Sequence, residues 1–280
     1  MRRVPAFLLS IAALLALSGG SGAQVATPNF IDQAQRGGAS QTLAPPVRIR
    51  FLTSVDFPPF SFLDSRGLIT GFNVDLARAV CEDMAITDVC QIEARPFAEL
   101  EPALLAGEGE AIIAGVGIDE ASRARLAFTR TYLHFPARFA APSASALGDD
   151  LPGSLDGQRV AVVAGTAHAA MLAAFFPAAV AVPVQNAAQG LSAMRRGDAA
   201  AYFGDGISLS FWLASEAAAD CCRFIGGPYL SDRYLGEGLA FALAPDDAKL
   251  AARFDEALRR VVASGRFSEL MLRYFPVSAF

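Results

Sequence analysis

The chain has 280 residues and a formal net charge of −5, and 53% of its residues are hydrophobic. This length is enough for two modest domains or one large one. The acidic balance and the lack of a basic patch argue against nucleic acid as a partner. No internal apolar run reaches the roughly 20 residues that a membrane-spanning helix requires.

The N-terminus has the features of a secretory signal peptide over residues 1–23. Arg2 and Arg3 supply positive charge, residues 7–17 form an apolar segment too short for a membrane span, and the residues before Gln24 are small. The alternative is an uncleaved anchor helix. Cleavage before Gln24 predicts an exported protein, in a compartment where disulfides are permitted.

Residues 24–46 are polar, rich in Gly, Ala, Gln and Pro, and aperiodic, which predicts a flexible leader. Beyond them, apolar spacing alternates between strand and helix patterns, and residues 53–62 form an aromatic, proline-rich loop. The predicted strands are residues 47–52, 68–72, 89–93, 111–116, 128–132, 159–164, 180–184, 199–203, 223–225 and 239–243, and a second unit is expected to begin at residues 138–141. The predicted helices are residues 73–84, 98–105, 119–126, 167–176, 187–196, 207–215, 248–263 and 267–274, with Asn73 as the first cap.

This alternation predicts an α/β protein with mostly parallel sheets and flanking helices. The order strand, helix, strand, helix, buried strand occurs twice, from Val47 and again from Arg159. Two similar lobes account for that repetition better than one large sheet does.

The cysteines fall into two pairs. Cys81 and Cys90 flank a short connection from helix to strand, a separation that a disulfide can close, although two buried free thiols are the alternative. Cys221 and Cys222 are adjacent, and free or partly buried thiols are expected there because a vicinal disulfide is strained. Neither pair has zinc-ligand spacing, so no metal site and no cofactor is predicted.

Several stretches, in this order and spacing, resemble the periplasmic solute-binding proteins of polar amino acid ABC transporters. The resemblance covers essentially residues 47–276. The stretches are Phe57-Pro58-Pro59-Phe60-Ser61-Phe62, Gly71-Phe72-Asn73-Val74-Asp75-Leu76, Ala111-Ile112-Ile113-Ala114-Gly115-Val116, Val162-Val163-Ala164-Gly165-Thr166, Gly204-Asp205, Gly226-Gly227-Pro228 and Ser264-Gly265-Arg266-Phe267.

The resemblance implies two lobes with a ligand cleft between them and a hinge closure on the ligand. Lobe 1 would comprise residues 47–135 and 236–280, and lobe 2 residues 136–235. The expected partners are a small amino acid-like ligand and an ABC transporter permease at the inner membrane, and the protein is expected to be a monomer. Cys81 and Cys90 also lie where some family members carry a lobe 1 disulfide.

Four candidate ligand contacts follow from matched positions. Phe57 matches the aromatic residue that stacks on the ligand, with lobe packing as the alternative. Phe97 is a candidate for the opposite wall or a core residue at a helix start. Asp205 matches the aspartate that binds the ligand's α-ammonium group, and Thr166 matches a residue that holds its carboxylate. Both are also placed to cap helices, a role compatible with ligand contact.

The turn that holds the ligand carboxylate departs from the family pattern. Ser122 stands where the family usually has an arginine, so Arg123 is the candidate, with a surface ion pair as the alternative. Gly115 and Gly117 offer backbone N–H groups in place of hydroxyl side chains. Ser54 stands where some members carry an acidic residue, so the sequence does not support a preference for basic ligands.

We therefore predict a solute-binding protein without enzymatic activity. One alternative is an enzyme similar to periplasmic cyclohexadienyl dehydratases, which act on prephenate or arogenate, with Glu237 as the candidate acid. A second alternative is a solute-sensing domain. His134 and His168 are isolated in sequence and are expected to have surface or core roles.

Overall fold

The computed structural model describes residues 48–148, 151 and 153–279. The predicted signal peptide and leader lie outside these residues. None of the helices in these ranges is both long enough and apolar enough to cross a membrane.

Two five-stranded sheets form the framework. The strands are β1 (Ile49–Thr53), β2 (Asp56–Phe57), β3 (Ser61–Leu63), β4 (Ile69–Thr70), β5 (Cys90–Ala94), β6 (Ala111–Ile112), β7 (Ala127–Phe128), β8 (Ala137–Pro142), β9 (Arg159–Val163), β10 (Val180–Val184), β11 (Ala201–Asp205), β12 (Cys222–Tyr229) and β13 (Ala242–Leu243). The first sheet has the order β5-β1-β6-β13-β7, and the second has the order β10-β9-β11-β8-β12. Strands β2, β3 and β4 form a small sheet of their own.

Each large sheet contains one reversed strand. In the first sheet β13 runs antiparallel to both β6 and β7, while β1 is parallel to β5 and β6. In the second sheet β8 runs antiparallel to both β11 and β12, and β9 is parallel to β10 and β11. Four strands of each sheet therefore point the same way, which confirms the predicted mostly parallel α/β architecture.

Helices cover both faces of each large sheet. They are α1 (Phe72–Asp83), α2 (Phe97–Leu105), α3 (Glu120–Arg123), α4 (Ala167–Phe175), α5 (Ala187–Arg195), α6 (Gly206–Leu213), α7 (Asp232–Leu235), α8 (Ala248–Ala263) and α9 (Arg266–Tyr274). Because neighbouring residues of a strand point to opposite faces, Phe51 joins one apolar cluster and Leu52 another. The second sheet divides Val160 and Ala161 in the same way. Burial of both faces explains why these adjacent residues of β1 and β9 are apolar together.

The chain passes between the two sheets along two paired segments. Leu133 and Leu239 form an antiparallel bridge, in which the Leu239 N–H donates to the Leu133 carbonyl at 2.7 Å. At Gly238, with φ of +91°, a Cβ atom would lie 2.2 Å from that same carbonyl oxygen. Only glycine therefore allows the two crossing segments to approach this closely.

Several local predictions differ from the structure, among them those for α1, β12 and β6. Helix α1 begins at Phe72 with Gly71 at the cap position, and the buried Asn73 side chain instead accepts a hydrogen bond from Tyr132 Oη at 2.9 Å. Strand β12 continues through the predicted turn at 226–228 because a register irregularity between Ile225 and Tyr229 absorbs the bend. The apolar run at 111–116 is a strand only at Ala111–Ile112.

The two cysteine pairs have different outcomes. The predicted disulfide between Cys81 and Cys90 is confirmed and links α1 to β5. The expectation of free thiols at Cys221 and Cys222 is wrong, because the structure joins them in a disulfide. Cys221 ends a turn and Cys222 begins β12. At such a junction, the strand rule that adjacent side chains point to opposite faces does not yet apply.

Candidate functional site

The candidate residues follow the carboxyl ends of parallel strands in both sheets. In the first sheet Ser54 comes directly after β1, and Gly115 and Gly117 come shortly after β6. In the second sheet Thr166 follows β9, and Asp205 is the last residue of β11. This is the edge at which open α/β sheets bind ligands.

Phe57 and Gly115 lie against each other on the first sheet's side. The Phe57 ring stacks on Phe60 with centroids 4.7 Å apart. A Cβ atom at Gly115, where φ is +72°, would lie 2.9 Å from Phe57 Cε1. Phe60 belongs to the core, whereas Phe57 is half-buried at its margin. Phe57 therefore retains exposed ring surface next to the glycine turn.

The other candidates on the first sheet's side differ in exposure. Phe97 is 49% exposed at the start of α2, so the alternative of a core residue is wrong. Ser54 is buried, and its Oγ has no hydrogen-bond partner among the described residues. A Cβ atom at Gly117 would meet no atom within 4 Å, so the chain is open there.

Arg123 is held in a surface ion pair. Its guanidinium group binds the Glu237 carboxylate, and it also lies 5.8 Å from the centre of the Phe128 ring. Both members of the pair are well exposed, as the predicted alternative required. Ser122, at the family's arginine position, has a structural role, because it forms a capping box with Asp119 at the start of α3.

On the second sheet's side, Thr166 and Asp205 cap two helices. Thr166 Oγ1 accepts a hydrogen bond from the Ala169 N–H at 3.2 Å and donates to the Val163 carbonyl at 2.8 Å. One Asp205 carboxylate oxygen accepts from the Ser208 N–H at 2.7 Å. The other Asp205 oxygen has no protein partner in the part of the chain that the structure describes. The capping roles are therefore confirmed, and the Asp205 carboxylate keeps a free acceptor.

Thr166 and Asp205 line one pocket of about 300 Å³, which opens between α4, α5 and α6. Its walls are mainly apolar, and none of its lining residues is lysine or arginine. The lining residues are Val163, Thr166, His168, Ala187, Leu191, Tyr202, Phe203, Gly204, Asp205, Ser208, Leu209 and Trp212. The candidates from the first sheet are not among them.

The pocket holds a neutral histidine beside the carboxylate. Burial lowers the pKa of His168 below its ordinary value, and the nearby Asp205 carboxylate opposes that shift only in part. Burial and Asp205 together raise the pKa of the Tyr202 hydroxyl, so it stays protonated. Asp205 therefore carries the only formal negative charge among the pocket's lining residues at neutral pH, and none of them carries a positive charge.

With this geometry in place, comparison with known proteins identifies the family. Residues 49–277 match the family described as bacterial extracellular solute-binding proteins, family 3. The chain belongs to this family.

Two relatives of this family 3 solute-binding protein show the range of named ligands. The L-arginine-binding protein of Pseudomonas aeruginosa is 31% identical, with 82% of this chain and 88% of the relative covered. The lysine/arginine/ornithine-binding periplasmic protein of Escherichia coli is 28% identical, with 86% and 93% covered.

Solved structures share the fold of the family 3 protein. The L-cystine solute receptor of Neisseria gonorrhoeae, in an unliganded open conformation, matches with a TM-score of 0.69 at 19% identity and covers 82% of this chain and 93% of the receptor. An ancestral cyclohexadienyl dehydratase matches with a TM-score of 0.67 at 16% identity, covering 81% and 92%. At these identities the likeness establishes the two-lobed fold and no activity.

Sequence reasoning missed His168, Tyr202 and Trp212 as residues of the site. His168 lies in the first turn of α4, directly beyond the recognised Thr166, and Trp212 lies seven residues after the recognised Asp205, a spacing of two helical turns along α6, so both had a signal in the sequence. Tyr202 gives no such signal, because its ring is placed by contacts with residues distant in sequence.

Proposed function

We propose that this protein binds a small solute that carries an ammonium group, such as an amino acid, in the periplasm and delivers it to an ABC transporter permease. The named ligands of the two relatives are amino acids, which supports this class of solute. The free acceptor of Asp205 carries the proposal. A carboxylate with one unsatisfied oxygen, in a pocket lined by no cationic residue, favours a bound cation.

The proposed cleft has an apolar side and a polar side. Phe57 offers ring surface and Phe97 an exposed ring from the first sheet's side. Gly115, Gly117 and Ser54 would contribute polar groups near the strand ends there. Thr166, as a cap of α4, would contribute through its helix N-terminus.

Arg123 would bind a ligand carboxylate only after releasing Glu237. The pair is exposed, and an exposed ion pair contributes about 0–1 kcal/mol, so the exchange is energetically inexpensive. A bidentate contact with a ligand carboxylate in a less exposed cleft would offset that loss. We propose Arg123 as the carboxylate contact on this basis.

A charge-neutral variant of Asp205 tests the proposal. Asn caps helices as well as Asp does, so Asp205→Asn should preserve the fold while removing the charge that binds the ammonium group. A thermal-shift screen of amino acids, amines, small peptides and carboxylates first identifies a stabilising solute. Calorimetry should then show binding that is roughly 10- to 150-fold weaker in the variant, corresponding to a lost charged hydrogen bond of about 1.5–3 kcal/mol. Unchanged affinity would remove Asp205 from the site.

We also propose that the protein acts as a binding protein and not as an enzyme. The relatives with sequence similarity are named as binding proteins. Glu237, the candidate acid for a dehydratase, is engaged by Arg123. Incubation with prephenate or arogenate should give no product, and measurable turnover would contradict this part of the proposal.

The lobe boundaries and the secretion route are proposed with the function. All strands of the second sheet lie between Ala137 and Tyr229, which supports a lobe 2 of residues 136–235. Export by a signal peptide of residues 1–23, and action as a monomer, fit a protein that shuttles solute to a permease.

A further inference from the structure

The pocket behind Asp205 extends well beyond the reach of one carboxylate. Asp205 lies at the end of β11, whereas Leu191, Leu209 and Trp212 line the walls between α5 and α6. A volume of about 300 Å³ holds roughly ten non-hydrogen atoms, if each takes about the 30 Å³ of a water molecule. A bare ammonium group would leave most of that space without contacts.

The Tyr202 ring in this pocket is fixed by close packing against two glycines. Its ring packs where Cβ atoms at Gly190 and Gly204 would come within 2.5 and 2.7 Å of it, so both positions must be glycine for the ring to fit. The residue is only 4% exposed. Within the described ranges its hydroxyl group has no hydrogen-bond partner, and the oxygen is not among the fully buried unsatisfied atoms, so it is open to a bound solute.

The remaining polar groups around Tyr202 are also available. Among the described residues, the His168 ring nitrogens, the Ser208 hydroxyl and the Trp212 ring N–H make no hydrogen bonds within the protein. These groups surround apolar walls that include two aromatic rings, Tyr202 and Trp212, which pack in one cluster with Leu191 and Leu209. Apolar walls with a few convergent polar groups are typical of a small-molecule site.

The shape and the charge together define a ligand class. We propose that the pocket receives the aromatic side group of a primary arylalkyl ammonium compound whose ammonium group binds Asp205. This inference rests on the proposed function, since it assigns the rest of the pocket that Asp205 lines. The aromatic lining favours a ring, and the single carboxylate favours a cation at the pocket mouth.

The location of the only tryptophan makes ligand binding in the pocket detectable by fluorescence. The chain contains one tryptophan, Trp212, and it lines the pocket. Fluorescence titration with two matched pairs of probes, 2-phenylethylamine with ethylamine and L-phenylalanine with L-alanine, isolates the contribution of the ring. Each phenyl probe should bind at least tenfold more tightly than its partner and change the Trp212 emission.

Two matched variants then test whether the ring occupies this pocket. Ala187 lines the pocket at the start of α5 and is exposed, and Ala188 is exposed but does not line it. Ala187→Phe should remove the tenfold advantage of the phenyl probes, whereas Ala188→Phe should keep it. Melting curves of both variants establish that each is folded.

The outcomes separate this inference from the proposed function. Equal affinities within each probe pair, equal behaviour of the two alanine variants, or tighter binding of L-arginine than of L-phenylalanine would overturn the pocket assignment. If Asp205→Asn still weakens the amines in those cases, the proposed function survives alone. If Asp205→Asn binds every probe as the wild type does, the proposed function and the pocket assignment both fail.

Discussion

His168 lies half-buried next to the carboxylate that is proposed to hold the ligand. Its folded-state pKa is below its ordinary value, because burial disfavours the imidazolium. The neutral ring is therefore the dominant form at neutral pH, and it leaves the Asp205 charge uncompensated for a cationic ligand. Acidification through the lowered pKa adds a positive charge that competes with that ligand.

This argument predicts an acid-sensitive affinity. For an ammonium probe, binding to the wild type should weaken as the pH falls below the ordinary histidine value of about 6.5. The folding stability contributed by neutral His168 falls in the same direction, because the unfolded chain takes up the proton first. Calorimetry between pH 5 and 8 on the wild type and on His168→Gln provides the measurement. The variant should show a flatter profile, and an identical slope would exclude His168.

Arg123 and Asp205, the two charged candidates, differ in how far each is already paired within the protein. Arg123 is already satisfied by Glu237 at an exposed surface, so a ligand must displace an existing partner. In the described part of the chain, only one carboxylate oxygen of Asp205 accepts a hydrogen bond, from the Ser208 N–H. On these contacts, we expect Asp205 to contribute more to ligand affinity than Arg123, and a solute without a carboxylate group remains compatible with the proposed site.

At the scale of elements, the paired crossing segments depend on two glycines that flank Glu237. Gly236 and Gly238 both have positive φ, at 76° and 91°. A Cβ atom at Gly236 would meet no atom within 4 Å, whereas one at Gly238 would overlap the Leu133 carbonyl. The two positions therefore share backbone strain but differ in steric overlap.

The matched substitutions should separate these two effects. Gly236→Ala should lower the free energy of unfolding by about 1–3 kcal/mol through backbone strain alone. Gly238→Ala should cost more than that, because it also breaks the hydrogen bond from Leu239 to Leu133. Urea unfolding of both variants gives the comparison. Equal losses would mean that the crossing segments can separate at little cost.

The long elements were predictable from sequence because each carries its own pattern. Helix α8 shows apolar residues at helical spacing, and β9 has four apolar residues in succession after Arg159. Strands β6 and β13 have two residues each, so their pairing depends on neighbours and not on local pattern. Sequence reasoning therefore overestimated the lengths of these strands.

The candidate site also contains residues that local sequence patterns predict and residues that only distant contacts place. Asp205 and Thr166 were predictable because strand ends and helix starts have recognisable residues. The pocket was not predictable, because the Tyr202 ring depends on Gly190, which lies on another element. Likewise, the partner of Arg123 lies 114 residues away, and no local pattern indicates it.

At the scale of the whole molecule, the C-terminal segment contacts both halves. The Phe275 ring packs near Phe72 in the first core and lies 6.3 Å from the Phe211 ring on α6. Arg138 on β8 donates a hydrogen bond to the Ala279 carbonyl at 3.1 Å. Motion of the two lobes about the crossing segments must therefore preserve or rearrange these contacts.

Closure of the two lobes requires a ligand that contacts both sides, since a ligand shifts a conformational equilibrium only through its differential affinity for the two states. Asp205 is the proposed contact from lobe 2, and Phe57 is the proposed contact from lobe 1. Phe57→Ala should therefore separate pocket occupancy from closure. With 2-phenylethylamine, the wild type should show both a Trp212 emission change and a smaller radius of gyration by small-angle X-ray scattering.

In Phe57→Ala the emission change should persist at higher probe concentration while the decrease in radius is lost. Asp205→Asn is the matched control, because losing the ammonium contact should move both signals together to roughly 10- to 150-fold higher probe concentration. A melting curve of each variant excludes unfolding as the cause. If Phe57→Ala still becomes compact on binding, then lobe 1 residues other than this aromatic ring stabilise the closed state.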